Sequence, residues 1–438
     1  MTERTPRASA VQTAQNSAAH RAPFLALAVT LGVQTLAAVT LTLPSVLAPV
    51  MSADVGMPAQ AVGWLVSVAY LSAMLSGLNG GGLAMRHGSV RLSQWALIGC
   101  CLGLVLLAVG HPIVLLCAAV VIGAGYGLPN PTAAEILSRH APTDRRGLFF
   151  SIKQTGVPLG VALTGLVAPL LLAAFGWRGA TLVLAAPMLA AALWVGWSRR
   201  ALEPAAAVAG AGAAGERAAS ASQGLVDALR ARLLLPLRDV LAYAPTRRVA
   251  LTSLVYAFTQ VSFLTFLVSL LKIEHGHSLS LAAGLLSTSQ AVSVVARIGW
   301  GHVSDRWIDP TRLLGLLGVT MGAGVALLGL LPASTPWPWT LAVTMLCAGT
   351  AVAWNGVFYA DLVRHVPPAR VAQATGATQF MTFMGGMSGS AAFAVMVSAM
   401  GSYSTAFAAV AVLPVATGVA LLLTARRGAE QLRTPGAQ

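Results

Sequence analysis

Charge is what this sequence has least of. Only 9% of its 438 residues are Asp, Glu, Lys or Arg, while 56% are hydrophobic; a soluble domain is typically about a quarter charged. Too few charges remain to cover a water-facing surface, and the mean hydropathy of +0.76 excludes an ordinary soluble globule. Acid is scarcer than base, at 13 Asp and Glu against 27 Lys and Arg, a formal net charge of +14. A basic excess can mark a nucleic-acid binder, but that needs a wet, charged face, so no nucleic-acid partner is expected. Cysteine is limited to Cys100, Cys101, Cys117 and Cys347, all in apolar runs. With neither metal spacing nor paired loops, they read as small core residues. No N-x-[ST] acceptor occurs, which is compatible with a bacterial origin. HExxH, GxSxG, CxxC and paired mid-span carboxylates are all missing. An enzyme's acid, base, nucleophile or metal set therefore has nothing to be built from, and no cofactor is expected.

What the chain has in quantity is apolar runs of about 20 residues, long enough to cross roughly 30 Å of hydrocarbon. Twelve are read, at 23–43, 61–85, 92–110, 112–137, 148–174, 179–198, 249–271, 279–303, 313–331, 337–363, 371–399 and 403–425. Continuous hydrophobicity without alternation means helices and not a β-barrel. The first run is too long for a cleaved signal and lacks an A-x-A-like site. Basic residues then set orientation. With the N-terminus inside, only Arg178 and Lys272 lie outside, Lys153 and Arg297 fall within spans, and the other 23 of the 27 are cytoplasmic. Both termini are expected inside a bacterial cytoplasmic membrane, with the lipid bilayer as the surrounding partner and a monomer as the unit.

The longest polar stretch, 199–248, divides the chain into a tail (1–22), a six-span bundle (23–198), a cytoplasmic linker and a second bundle (249–425), with a tail at 426–438. Glu203 to Ser222 is Ala/Gly-rich and reads as flexible; Leu225 to Tyr243 reads as an amphipathic surface helix or a solvated linker. The two bundles repeat each other. At a constant offset of 225 residues, Asn130–Gln154 matches Asn355–Gln379 with seven identities, among them Asn130/Asn355, Arg139/Arg364, His140/His365, Pro142/Pro367, Arg145/Arg370 and Gln154/Gln379. Parallel six-span repeats imply two similar bundles side by side. The expected fold class is an all-α membrane protein of twelve helices in two pseudo-symmetric bundles.

A third repeated feature follows the second span of each half: Gly81-Gly82-Leu83-Ala84-Met85-Arg86-His87-Gly88, and Gly301-His302-Val303-Ser304-Asp305-Arg306. At this point the chain resembles the major facilitator superfamily, whose loop motif runs G-x-L-A-D-R-x-G. The resemblance covers essentially the whole chain. It implies alternating access by two six-helix bundles, with Gly81, Arg86, Gly88, Gly301, Asp305 and Arg306 as the gating motif. The first copy has Met85 where the acid belongs, so an acid–base latch is expected only from Asp305 and Arg306.

The resemblance also implies that the first, fourth, seventh and tenth spans line a cavity. They carry Gln34, Asn130, Gln260 and Asn355, and the fifth and eleventh add Gln154 and Gln379. These amides read either as a hydrogen-bonding wall for a small substrate or as interhelical contacts. Two intramembrane cations break the symmetry. Arg297 lies eight residues, about 12 Å, before Asp305, and its planar fork suits a carboxylate. Ala296-Arg297-Ile298-x-x-Gly301 resembles the eighth span of the monocarboxylate and oxalate–formate branches, where the corresponding Arg binds the substrate carboxylate. Snorkelling or pairing with Asp305 or Asp361 stays open. Lys153, a turn or two inside the membrane, is read first as snorkelling and otherwise as an accessory to Arg297. Glu135 and Asp361 have spacings of four and three to Arg139 and Arg364, which suit local ion pairs. Trp354, Tyr126 and Tyr256 are expected to shape the cavity. The leading expectation is a transporter of a small organic anion, with proton coupling through the substrate's carboxyl or Asp361. The alternatives are efflux of a hydrophobic compound and a membrane sensor.

Overall fold

The computed structural model describes residues 6–142, 145–203, 235–366 and 371–433. Most of the expected linker, the first part of its amphipathic helix (225–234) and the repeat residues Pro367 and Arg370 lie outside them. The rest of that helix is present as Leu235–Ala242. The described residues contain no β-strand.

Eleven apolar helical segments are long enough to cross a membrane, and one of them, Leu148–Leu202, has 55 residues. Straight, it would extend about 80 Å, far more than a bilayer needs. It is instead two helices that meet at Gly176, whose φ of 68° and ψ of 174° lie in a region open essentially to glycine. The packing shows the reversal. Gly156 lies against Gln34 and Gly160 against Ala38, so the first limb runs alongside the opening helix. Past Gly176, Arg178 meets Asp54 and Met188 meets Thr40, so the second limb returns. The crossings are therefore α1 (Ala22–Val55), α2 (Ala59–His87), α3 (Ser89–Val109), α4 (Pro112–His140), α5 (148–175), α6 (177–202), α7 (Ala244–Glu274), α8 (Leu279–Arg306), α9 (Pro310–Leu330), α10 (Trp337–Arg364), α11 (Ala374–Met400) and α12 (Tyr403–Ala425). The twelve expected spans are all present, and α1 continues a helix that begins at Pro6.

The first six helices and the last six form separate bundles. Within the first, α2 packs on α4 and α3 on α4 and α6; within the second, α7 packs on α11 and α9 on α12. The halves meet along α2–α11, α5–α8 and α1–α7. One end of the molecule carries the arginine-rich turns between α2 and α3, α4 and α5, α8 and α9, and α10 and α11. The halves are closed at the opposite end, which we call the far end. There Gln60 Nε2 donates to Ser398 Oγ at 3.5 Å and Gly63 backs onto Ser390 and Ala394; farther in, Ser287 Oγ donates to the Ala162 carbonyl at 2.5 Å. Cys100 and Cys347 are buried as expected, whereas Cys117 is exposed on a lipid-compatible face.

Candidate substrate site

Helix breaks position the site. α4 is interrupted at Leu128 between Pro112–Gly127 and Pro129–His140. Pro129 opens the second part, where its missing N–H costs nothing, and Asn130 follows it. The related helix α10 is interrupted in the same place: a π-helical turn, Ala348–Val352, ends just before Asn355 begins Asn355–Arg364. α5 breaks at Thr155, between Arg146–Gln154 and Gly156. Such breaks release backbone carbonyls that a continuous helix would use internally.

Lys153 does not snorkel. Its side chain is 2% exposed and points inward, where Nζ donates to Gln34 Oε1 at 2.8 Å and to Asn130 Oδ1 at 2.6 Å. α1, α4 and α5 thus meet at one ammonium group. Both acceptors are neutral, and among the described residues no carboxylate pairs with it. The counterpart Thr378 has no charge and turns its hydroxyl back to the Ala374 and Thr375 carbonyls.

Arg297 is likewise satisfied by neutral oxygens. One terminal nitrogen donates to the Gln154 carbonyl across the interface at 3.2 Å, and the other to the Val352 carbonyl of its own half at 2.7 Å. Its Nε is buried and has no partner. Neither Asp305 nor Asp361 pairs with it. Tyr126 and Tyr359 lie close enough to interact electrostatically with the guanidinium. Tyr359 donates to Gln379 Oε1 at 2.9 Å, and Tyr126 stands edge-on to Tyr70 at 6.0 Å between centroids. Tyr70 in turn meets Phe383 of the other half at 6.1 Å.

The remaining amides are symmetric in position and not in partner. Gln260 accepts from Trp354 Nε1 at 2.9 Å, and Asn355 Nδ2 reaches the Val352 carbonyl at 3.4 Å. Trp354 and Tyr256 do not shape a cavity: both are fully buried and packed on each other at 5.6 Å. Of the three aromatic residues expected there, only Tyr126 is partly open. Tyr359, missed in the sequence, is legible in retrospect, because it lies one turn after Asn355 on the same helix face.

At the arginine-rich end, Glu135 pairs with Arg139 and also accepts from Ser89 Oγ. Its counterpart Asp361 accepts from Thr311 Oγ1 at 2.6 Å. The expected Asp361–Arg364 pair does not form, since Arg364 reaches Asp309 instead. Each acid therefore ties the fourth helix of its half to the start of the third. Carboxylates also cap both third helices: Glu203 accepts from Val90 N–H at 2.7 Å, and Asp309 from Thr311 and Arg312 N–H. Burial would raise the Asp309 carboxyl, but the Arg364 hydrogen bond, with the Arg312 and Thr311 N–H groups, holds it below the usual carboxylate range. Glu203, brought from the end of α6 against Gly88, supplies the loop with a carboxylate where Met85 has none. Asp305, Arg306 and Arg86 are exposed, and among the described residues none of them forms an ion pair. Added methyls at Gly81 and Gly301 would meet open space.

Twelve crossings in two repeated bundles, with polar and charged side chains gathered where the bundles meet, define a two-bundle polytopic membrane protein. Residues 30–390 match the Major Facilitator Superfamily, and the chain belongs to that family. Its match to the niacin transporter of Acinetobacter baylyi is 29% identical and covers 28% of each chain. A 4-hydroxybenzoate transporter of Pseudomonas aeruginosa is 29% identical over 31% of each. A plastidic glucose transporter of Arabidopsis thaliana is 29% identical over 29% of this chain and 24% of its own. The aligned parts thus span about a quarter to a third of these relatives. A crystal structure of a peptide transporter in complex with sulfate superposes with a TM-score of 0.70 at 17% identity, covering 93% of this chain and 94% of that one.

Proposed function

We propose that the protein is a secondary transporter that carries a small organic anion across a bacterial cytoplasmic membrane by alternating access, as a monomer with both termini cytoplasmic. One observation carries this reading: two intramembrane cations, Arg297 where the bundles meet and Lys153 inside the first bundle beside Gln154, are held among the described residues by neutral oxygens. An intramembrane charge is costly and calls for a functional account. A neutral oxygen is a weaker partner for a cation than a carboxylate, so an incoming anion gains by displacing it. Arg297 is the principal anchor, its fork fitted to a carboxylate, and Lys153 is the accessory. Gln34, Asn130, Gln154, Gln260, Asn355 and Gln379 supply the polar surroundings, and Tyr126 and Tyr359 lie within electrostatic range of the guanidinium. Two of the relatives named above transport carboxylic acids, which supports the same class. A proton can enter with the substrate's own carboxyl.

The test is uptake of a labelled carboxylate panel, aliphatic and aromatic, into proteoliposomes at set pH and membrane potential. Saturable uptake of one or more acids is expected. Arg297→Gln is expected to lower it at least tenfold, the loss of one charge-assisted contact of about 1.5–3 kcal/mol. Acid uptake with unchanged apparent affinity in Arg297→Gln and Arg297→Ala overturns the assignment.

A further inference from the structure

Arg297 reaches across the interface to a carbonyl that the sequence itself has set free. In a continuous helix the Gln154 carbonyl would accept from the N–H four residues on, but that residue is Pro158, which has none. The next N–H, that of Leu159, goes to the Thr155 carbonyl at 3.0 Å. The Gln154 carbonyl therefore lacks the donor that a regular helix would give it, and Arg297 takes it at 3.2 Å.

That contact is the inner end of a seam. Along it, Gly165 lies against the Ala283 carbonyl, Ser287 donates to the Ala162 carbonyl, and Arg297 meets Gln154. The pairs climb α5 as they descend α8, so the two helices run antiparallel from the far end toward the arginine-rich end. The Arg297 contact is thus one of those that hold α5 against α8 while the far end is closed.

We propose that Pro158 and Arg297 form a latch between the two bundles, in which the Gln154 carbonyl holds the guanidinium that the substrate anion must take. Pro158 is a positioning residue: it touches no substrate and acts by withholding an N–H. The latch gives the anion a way to drive the cycle. A carboxylate is the stronger acceptor for a guanidinium, so its binding replaces the carbonyl and releases α5 from α8. The protein without substrate stays closed at the far end, and the apparent affinity for the anion is lowered by the fraction of molecules in which Arg297 is engaged. The role of the anion rests on the transport reading above; the latch itself does not.

Ala394 of α11, which backs onto Gly63 of α2 across the halves toward the far end and is buried, provides a reporter that needs no substrate. In the full chain with Cys100, Cys101, Cys117 and Cys347 replaced by Ala, Ala394→Cys is labelled with a maleimide in detergent. Labelling is expected to be slow in this background and roughly two- to tenfold faster in Pro158→Ala, the equivalent of about one hydrogen bond. Arg297→Gln should accelerate it similarly, and Pro158→Ala should add nothing to Arg297→Gln, because both remove one contact. Pro169→Ala, farther along α5, is the control and should leave the rate unchanged. Replacing a helix proline by alanine favours the helix, so Pro158→Ala is not a folding defect. Equal rates in all variants, or additive effects of Pro158→Ala and Arg297→Gln, overturn the latch. Sodium benzoate and sodium nicotinate, against sodium chloride, are then added to the unmutated background as anion probes. Acceleration by either supports displacement by substrate. A latch that responds to the mutations, in proteoliposomes that take up no carboxylate, refutes the anion reading and leaves the latch standing.

Discussion

At the scale of single residues, the ammonium of Lys153 sets the terms for its neighbours. It is 2% exposed, and its two side-chain acceptors are Gln34 and Asn130. Taking one away leaves a buried cation short of a partner, which costs about 1–3 kcal/mol. Asn130→Leu should therefore lower the melting temperature of the detergent-purified protein by several degrees. Adding Lys153→Met removes the charge that was left short, and should restore most of the loss. A double variant as unstable as Asn130→Leu alone contradicts this account. His275 makes a second residue-scale case, outside the spans at the far end. It is 8% exposed, both ring nitrogens are buried without a partner, and its ring lies 6.1 Å from that of His277. Burial and the neighbouring His277 lower its pKa, against an opposing pull from Glu274. A depressed histidine stabilises the fold only while neutral in both folded and unfolded chains. Its contribution is full above the unfolded value of about 6.5 and is lost as pH falls through the folded one. Thermal stability should decline on acidification below about pH 6.5, and the decline should be smaller in His275→Gln.

Elements in this molecule meet at close range, and glycine decides how close. A methyl at Gly123 would collide with the backbone of Ala69, so α2 and α4 touch backbone to backbone. Gly123→Ala forces them apart, an overpacking cost of about 1–3 kcal/mol that should appear as a lower melting temperature. Gly284→Ala, where the methyl meets open space, should show no such loss. These elements were largely legible in the sequence, since length and hydropathy alone set the crossings. The separation of α5 from α6 was legible too, because two runs of bilayer length fit in 148–198, although the chain between them is helical up to a single glycine. Side-chain partners were less accessible. Spacing pointed to Glu135 and Arg139, which pair. The same argument failed for Asp361 and Arg364, because Asp309 lies closer to the guanidinium, and nothing local to α10 reports it. Lys153 misled for a related reason. Depth along a helix cannot show whether a side chain turns toward lipid or toward a neighbour, and Gln34 lies 119 residues away.

For the whole molecule, the arrangement of charge makes a claim about direction. The turns joining α2 to α3, α4 to α5, α8 to α9 and α10 to α11 bring Arg86, Arg139, Arg145, Arg306, Arg312 and Arg364 to one end. At the other, Arg178 is paired with Asp54 and stacked on Trp177 at 4.4 Å, so even this cation is locally balanced. Lys and Arg in short loops are retained on the cytoplasmic side, and an even number of crossings returns the chain to the side on which it began. On the orientation proposed above, the far end, closed by the Gln60–Ser398 and α5–α8 contacts, would be the extracytoplasmic one. Two single-cysteine variants in the cysteine-free background test this. Ser334→Cys lies in the exposed turn between α9 and α10 at the far end, and Arg312→Cys is exposed in the first turn of α9 at the other. A membrane-impermeant maleimide should label Ser334→Cys in intact cells and Arg312→Cys only in inverted vesicles. The reverse pattern would turn the molecule over in the membrane. A chain closed at the extracytoplasmic face would then have to be redrawn as one closed at the cytoplasmic face, and the latch at Arg297 would control release to the other side.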